Sequence, residues 1–209
     1  MRAVLLTYSD ALKTSKPVYD SYVNNKMMQE TQKVKTAPLV SKWSNRFIWA
    51  AIIQGLAATL LTVPIVLPWV TPSVAMVIAG GSAGTWFTVG YLSYIMVGVI
   101  AVAVTALFYH HFEVDMGKPY KGAANYLAWI HFILMNVGVA AAAYMLMYGG
   151  YFGGAALLAT SEGGLGMTAG WVHVHILSGL VDPIGYAIIA AGLGVFAGGI
   201  GYFVNYFRK

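Results

Sequence analysis

The chain alternates between two long apolar tracts and short charged stretches. No Asp, Glu, Lys or Arg occurs between Arg46 and Glu113, and between Lys121 and Arg208 only Glu162 and Asp182 interrupt the run. One bilayer crossing takes about 20 apolar residues, so each tract is long enough to cross about twice and four helical spans are predicted. The first is expected over residues 47–69, opened by Trp43 and Arg46 at the interface and closed by Pro64, Pro68 and Pro72, because proline ends or kinks a helix. Residues 73–85 carry Gly80, Gly81 and Gly84 and read as an outer connection or a shallow re-entrant turn, tolerated only where protein shelters it. The second span is expected over 86–109 and the third over 125–148. A glycine-rich outer loop is expected over 149–170, and the last span over 183–207. Residues 167–181 either extend that last helix or lie along the outer interface.

Composition agrees with this pattern. The 209 residues are 59% hydrophobic and 9% charged, against about a quarter charged in a soluble domain. The net charge of +5 does not indicate nucleic acid, because eight of the twelve Lys and Arg fall in the first 46 residues, just ahead of the first apolar run. That placement marks a cytoplasmic flank, and such a flank also attracts anionic headgroups. The chain therefore reads as an all-α, multi-pass protein of the cell membrane. Residues 1–45 form a basic cytoplasmic segment and residues 46–209 a four-helix bundle. Both termini are cytoplasmic, with Arg208 and Lys209 closing the last span. Within the N-terminal segment, Tyr19, Tyr22, Val23 and Met27 are spaced for a short surface helix. No apolar stretch of signal-peptide type follows Met1. The absence of cysteine excludes disulfides, thiolate metal sites and thiol nucleophiles.

Histidine carries the candidate chemistry, since a neutral imidazole binds haem iron, copper or zinc and an ionisable group within a span is a functional hypothesis. His110 and His111 stand at a helix end, where a protonated imidazole meets the C-terminal dipole favourably. His131 lies about two turns into the third span. His173 and His175 lie near the outer side and are the candidate metal ligands. They share an ion only in an extended segment, because alternate residues of a helix point about 200° apart. The depth of His131 does not match that of His173, which disfavours a haem bridging them. Asp182, ahead of Pro183, is expected to cap the last span, with a proton-relay role as the alternative. Ala140 to Ala143 and Gly198, Gly199 and Gly201 permit close helix packing.

Three segments, in order, resemble the last third of subunit I of the haem-copper terminal oxidases. Val89-Gly90-Tyr91-Leu92-Ser93-Tyr94-Ile95-Met96 resembles the family's V-G-H-F-H-Y-V-L stretch opening its tenth helix. A loop with Gly117, Lys118 and Pro119 follows, as in some members. Ile130-His131-Phe132-Ile133-Leu134-Met135-Asn136-Val137-Gly138-Val139 resembles the eleventh-helix stretch I-H-F-x-x-M-F-I-G-V. The resemblance covers about residues 47–154 and implies the same orientation as the basic residues do. It also has departures. Tyr91 and Ser93 stand where the family has the two histidines that ligate its haems, and no arginine in 148–154 matches the residues that hold haem propionates. His131 falls on a position that is not a haem ligand in the family.

The expectation is therefore a haem-less relative of that subunit: a non-catalytic accessory membrane subunit of a respiratory electron-transfer complex. It needs no cofactor of its own; haem and copper belong to a partner subunit, and its partners are lipid and other membrane subunits. The alternative is a haem- or copper-binding redox protein using His173 and His175, or His110, His111 and His131. A small transporter ranks last, because the spans offer almost no ionisable group near mid-bilayer.

Overall fold

A computed structural model describes residues 21, 23–29 and 41–208. The chain divides into two compact units, Met1–Leu39 and Val40–Lys209. In the first unit residues 23–29 are helical, with Val23 half-buried and the rest exposed. Tyr19, Tyr22 and most of the basic residues of that segment, like Lys209, lie outside the described residues.

The second unit is entirely helical among its described elements, and four of its helices are long and apolar enough to cross a membrane. They are α1 (Lys42–Val66), α3 (Gly84–Asp115), α4 (Ala123–Leu157) and α5 (Ala169–Phe207). A short helix α2 (Val74–Ala79) links the first two. The expected bundle of four apolar helices is present, but every span differs from its expected limits, for identifiable reasons.

Helix α1 starts earlier because Ser41 caps it, its hydroxyl accepting from the Ser44 N–H at 3.0 Å. It stops earlier because Leu67, ahead of Pro68, is extended, as residues before proline tend to be. Helix α3 runs past His110 to Asp115, with π-helical stretches at Tyr94–Ala101 and His111–Asp115. The largest correction concerns glycine. Gly149, Gly150, Gly153 and Gly154 do not form a loop; they are buried inside α4. A methyl on Gly150 would lie 2.7 Å from Phe87 Cα, and one on Gly154 2.5 Å from Val77 Cγ1. These glycines let the backbone of α3 and the side chain of Val77 on α2 approach α4, the use that membrane helices make of small residues.

Helix α5 begins at Ala169, capped by the Thr168 hydroxyl accepting from the Trp171 N–H at 3.3 Å. Residues 169–181 therefore extend the last helix. Asp182 is not a cap: it lies inside α5, exposed, with Pro183 also within the helix. Proline is tolerated inside apolar helices that neighbours and local adjustments support, and a π-helical turn at His173–Leu177 precedes it.

Along α5, Gly194 and Gly198 face α4. A methyl on Gly194 would lie 2.6 Å from Met135 N, and across the same seam one on Gly138 would lie 2.6 Å from Ala191 N. Gly185, Gly192 and Gly199 face away, with nothing within 4 Å of an added methyl.

Candidate functional site

Polar side chains gather at one end of the bundle, where α1 begins, α3 ends, α4 begins and α5 ends. Glu113 is 4% exposed. It accepts from the Ser41 hydroxyl and from the Trp43 N–H at 2.9 Å, so a carboxylate from α3 closes the N-terminus of α1, where the exposed backbone N–H groups favour negative charge. The Asn205 side chain donates to the Lys118 carbonyl at 2.8 Å and the Arg208 guanidinium to the Pro119 carbonyl at 2.6 Å. Lys118 returns a bond to the Tyr206 carbonyl. The connection between α3 and α4 is thereby tied to the end of α5.

Beneath this layer lies an aromatic cluster around Tyr109, which is fully buried. Its ring stacks on Phe47 at 5.0 Å and meets Tyr120 at 4.9 Å and Tyr202 at 5.1 Å. Its hydroxyl is 3.1 Å from His131 Nδ1. Burial, reinforced by the neighbouring Tyr202 and Glu113, pushes the Tyr120 phenol in the α3–α4 connection well above its ordinary range, so it stays neutral. The His131 imidazole rests against Gly198 of α5, where a methyl would fall 2.6 Å from its Cγ and closer still to Nδ1 and Cε1. Only a residue without Cβ leaves that space.

On the outer edge of the cluster the Arg46 guanidinium lies 4.4 Å from the Trp43 ring and 4.3 Å from the Trp129 ring. These two indoles meet edge to face at 5.1 Å. Deeper in the bundle, the Gln54 amide donates to Asn136 Oδ1 at 2.6 Å. The hydroxyls of Thr62 and Tyr91 are 2.6 Å apart.

The histidines are not brought together. His110 and His111 are exposed, and His111 Nδ1 pairs with Asp115 at 3.0 Å. His131 is turned inward onto Tyr109. His173 and His175 sit on a helix, both exposed, with the His175 ring stacked on Trp171 at 4.5 Å and its Nδ1 2.9 Å from the Trp171 carbonyl. The extended geometry that would let both share an ion is absent from this segment. Among the described residues no group of three or more His, Cys, Asp or Glu is placed to hold a metal ion. Tyr91 and Ser93, at the positions where the resemblance would require imidazoles, are half-buried.

Sequence reasoning missed Tyr109, Tyr120, Tyr202 and the capping role of Glu113. The available signal was aromatic residues beside each charged boundary, which does not say that they converge. The fold and this site define a membrane protein whose four apolar helices are closed at one end by a sealed layer of aromatic and polar side chains. Comparison with protein-family models, curated proteins and solved structures finds no match to the chain.

Proposed function

We propose that this chain is a non-catalytic accessory subunit of a membrane electron-transfer complex of the terminal-oxidase type, a haem-less relative of subunit I. It acts by packing against a haem- and copper-bearing partner. The observation that carries the proposal is the second glycine stripe of α5. Gly185, Gly192 and Gly199 recur every seven residues, which keeps them on one side of a helix over about 21 Å. Their counterparts Gly194 and Gly198 are filled by α4, whereas this stripe is open. Within apolar surroundings helices associate through such small-residue seams, so the open stripe suits a helix from another chain.

The spending of polar groups supports the same reading. Glu113, Gln54, Asn136, Thr62, Tyr91 and Asn205 each bond across helices or to a connecting loop, which is what a scaffold requires. The basic residues gathered at the sealed end, Lys42, Arg46, Lys118, Lys121 and Arg208, favour placing that end on the cytoplasmic side of the cell membrane. Isolation of the tagged chain from native membranes in mild detergent tests the proposal. The expected result is a co-purifying chain that carries a haem Soret band or copper, separable from this one. A chain that purifies alone, or that itself holds the haem or copper, overturns it.

A further inference from the structure

Arg46 makes no hydrogen bond and no ion pair among the described residues, and its Nη1 is buried without a partner. Among the described residues its contacts are the faces of Trp43 and Trp129. Those rings fix the position of the guanidinium by cation–π attraction but leave its fork of N–H donors empty. An unpaired charge at the edge of an apolar phase is costly. The fork matches a phosphate or carboxylate in bidentate fashion.

Below Arg46 a groove of about 650 Å³ runs between α1 and α4, lined by Trp49, Ile53, Phe132, Val137 and Ala140. Ile53 lies seven residues beyond Arg46, about 10 Å along the axis. On α4 the lining runs from Phe132 to Ala141, nine residues and so about 14 Å. One leaflet of the hydrocarbon core is about 15 Å deep, so the groove has the length of one leaflet. Of its polar residues at the deep end, the Gln54 amide N–H donates to Asn136 Oδ1, while Gln54 Oε1 is buried without a partner. Lys42, Asn45, Arg46, Trp49 and Ile53 follow helical spacing on one face of α1. That face therefore runs from cationic through aromatic to apolar.

We infer that this groove is a binding site for one anionic phospholipid, with its phosphate on the Arg46 fork and an acyl chain between α1 and α4. Charge complementarity selects the anionic headgroup, and the leaflet-length apolar groove selects a lipid over a free ion. A zwitterionic lipid presents the same phosphate, but its own ammonium offsets that charge and it neutralises Arg46 less fully; a lipid without a phosphate does not neutralise it at all.

The full-length chain, reconstituted in phosphatidylcholine bilayers, is titrated with phosphatidylglycerol brominated on its acyl chains, and in parallel with brominated phosphatidylcholine. With Trp69, Trp86 and Trp171 changed to Phe, quenching of the remaining tryptophan fluorescence reports occupancy beside Trp43, Trp49 and Trp129. The anionic lipid is expected to quench at a mole fraction about five- to tenfold lower than the zwitterionic one, the effect of one well-placed cation. Arg46→Gln should bring that ratio close to one and Arg46→Lys should give an intermediate value. Lys121→Gln, which removes a charge at the same end away from the groove, should leave it unchanged. Equal quenching by the two lipids with Arg46 in place overturns the inference. So does a preference that survives Arg46→Gln, that Lys121→Gln lowers equally, or that inorganic phosphate abolishes. The last result would identify a site for free anions.

Discussion

Replacing two adjacent glycines of α5 by alanine should give opposite results. At Gly198 the new methyl would meet the His131 ring at 2.6 Å or less. The ring has no flexible end to move. It is hemmed in by Phe47 at 5.1 Å, Tyr109 at 5.9 Å and Tyr202 at 6.2 Å between ring centres. Forcing a methyl into such a core costs about 1–3 kcal/mol. Displacing the ring also gives up the 3.1 Å bond to Tyr109, worth about 1 kcal/mol. Gly198→Ala is thus expected to destabilise the bundle by about 3 kcal/mol. Gly199→Ala adds the same methyl where nothing lies within 4 Å. The isolated chain should then be as stable as the native one, or more stable by up to about 1 kcal/mol from the better helix propensity of alanine. Reversible unfolding in mixed detergent–SDS micelles, followed by tryptophan fluorescence, measures both. A double variant, His131→Ala with Gly198→Ala, should recover part of the loss, with a coupling of at least about 1 kcal/mol. Equal effects at 198 and 199, or strict additivity with His131→Ala, would refute the packing of His131 against Gly198.

Glu113→Gln weakens a charged acceptor that closes the start of α1, and should lower stability by about 1–3 kcal/mol in the same assay; hydrogen exchange at 42–46 should rise, and unchanged exchange there would contradict the capping role. Gln54→Ala and Asn136→Ala, combined in a double-mutant cycle, should show a coupling of about 0.6–1.7 kcal/mol, the range for bonds between helices in a membrane; a coupling near zero would show that the bond does not join α1 to α4. Changing both His173 and His175 to Gln should leave the copper and zinc content of the purified chain unaltered by elemental analysis, and loss of a stoichiometric ion would revive these residues as ligands.

The four spans were legible because charge is costly in an apolar phase, so charge-free tracts of sufficient length are informative wherever they occur. Their limits were not. Gly149 to Gly154 resemble a loop when glycine is taken as a turn former, yet here glycine serves close approach. Which meaning applies depends on Phe87 and Val77, more than sixty residues away in sequence. Pro183 resembles a helix start because in water proline sits comfortably only in the first turn, whereas α5 passes through it and takes its cap from Thr168. The site was legible only in fragments. The position of His131 about two turns into its span was anticipated, but its seat on Gly198 follows from the register between α4 and α5, which periodicity does not encode. Glu113 reads as a loop acid by its charged neighbours. Its burial is apparent only once the end of α3 is set beside the start of α1. Arg46 was read as an interfacial residue, and the indoles that hold it come from two helices.

Packing of the open face of α5 on another chain can be read out by a photo-activated cross-linking residue at position 192 in native membranes. One dominant adduct is expected, with a membrane chain that carries haem or copper, and it should disappear when Gly185 and Gly199 are both changed to Leu. Adducts with lipid alone, or with a second copy of this chain, would contradict it.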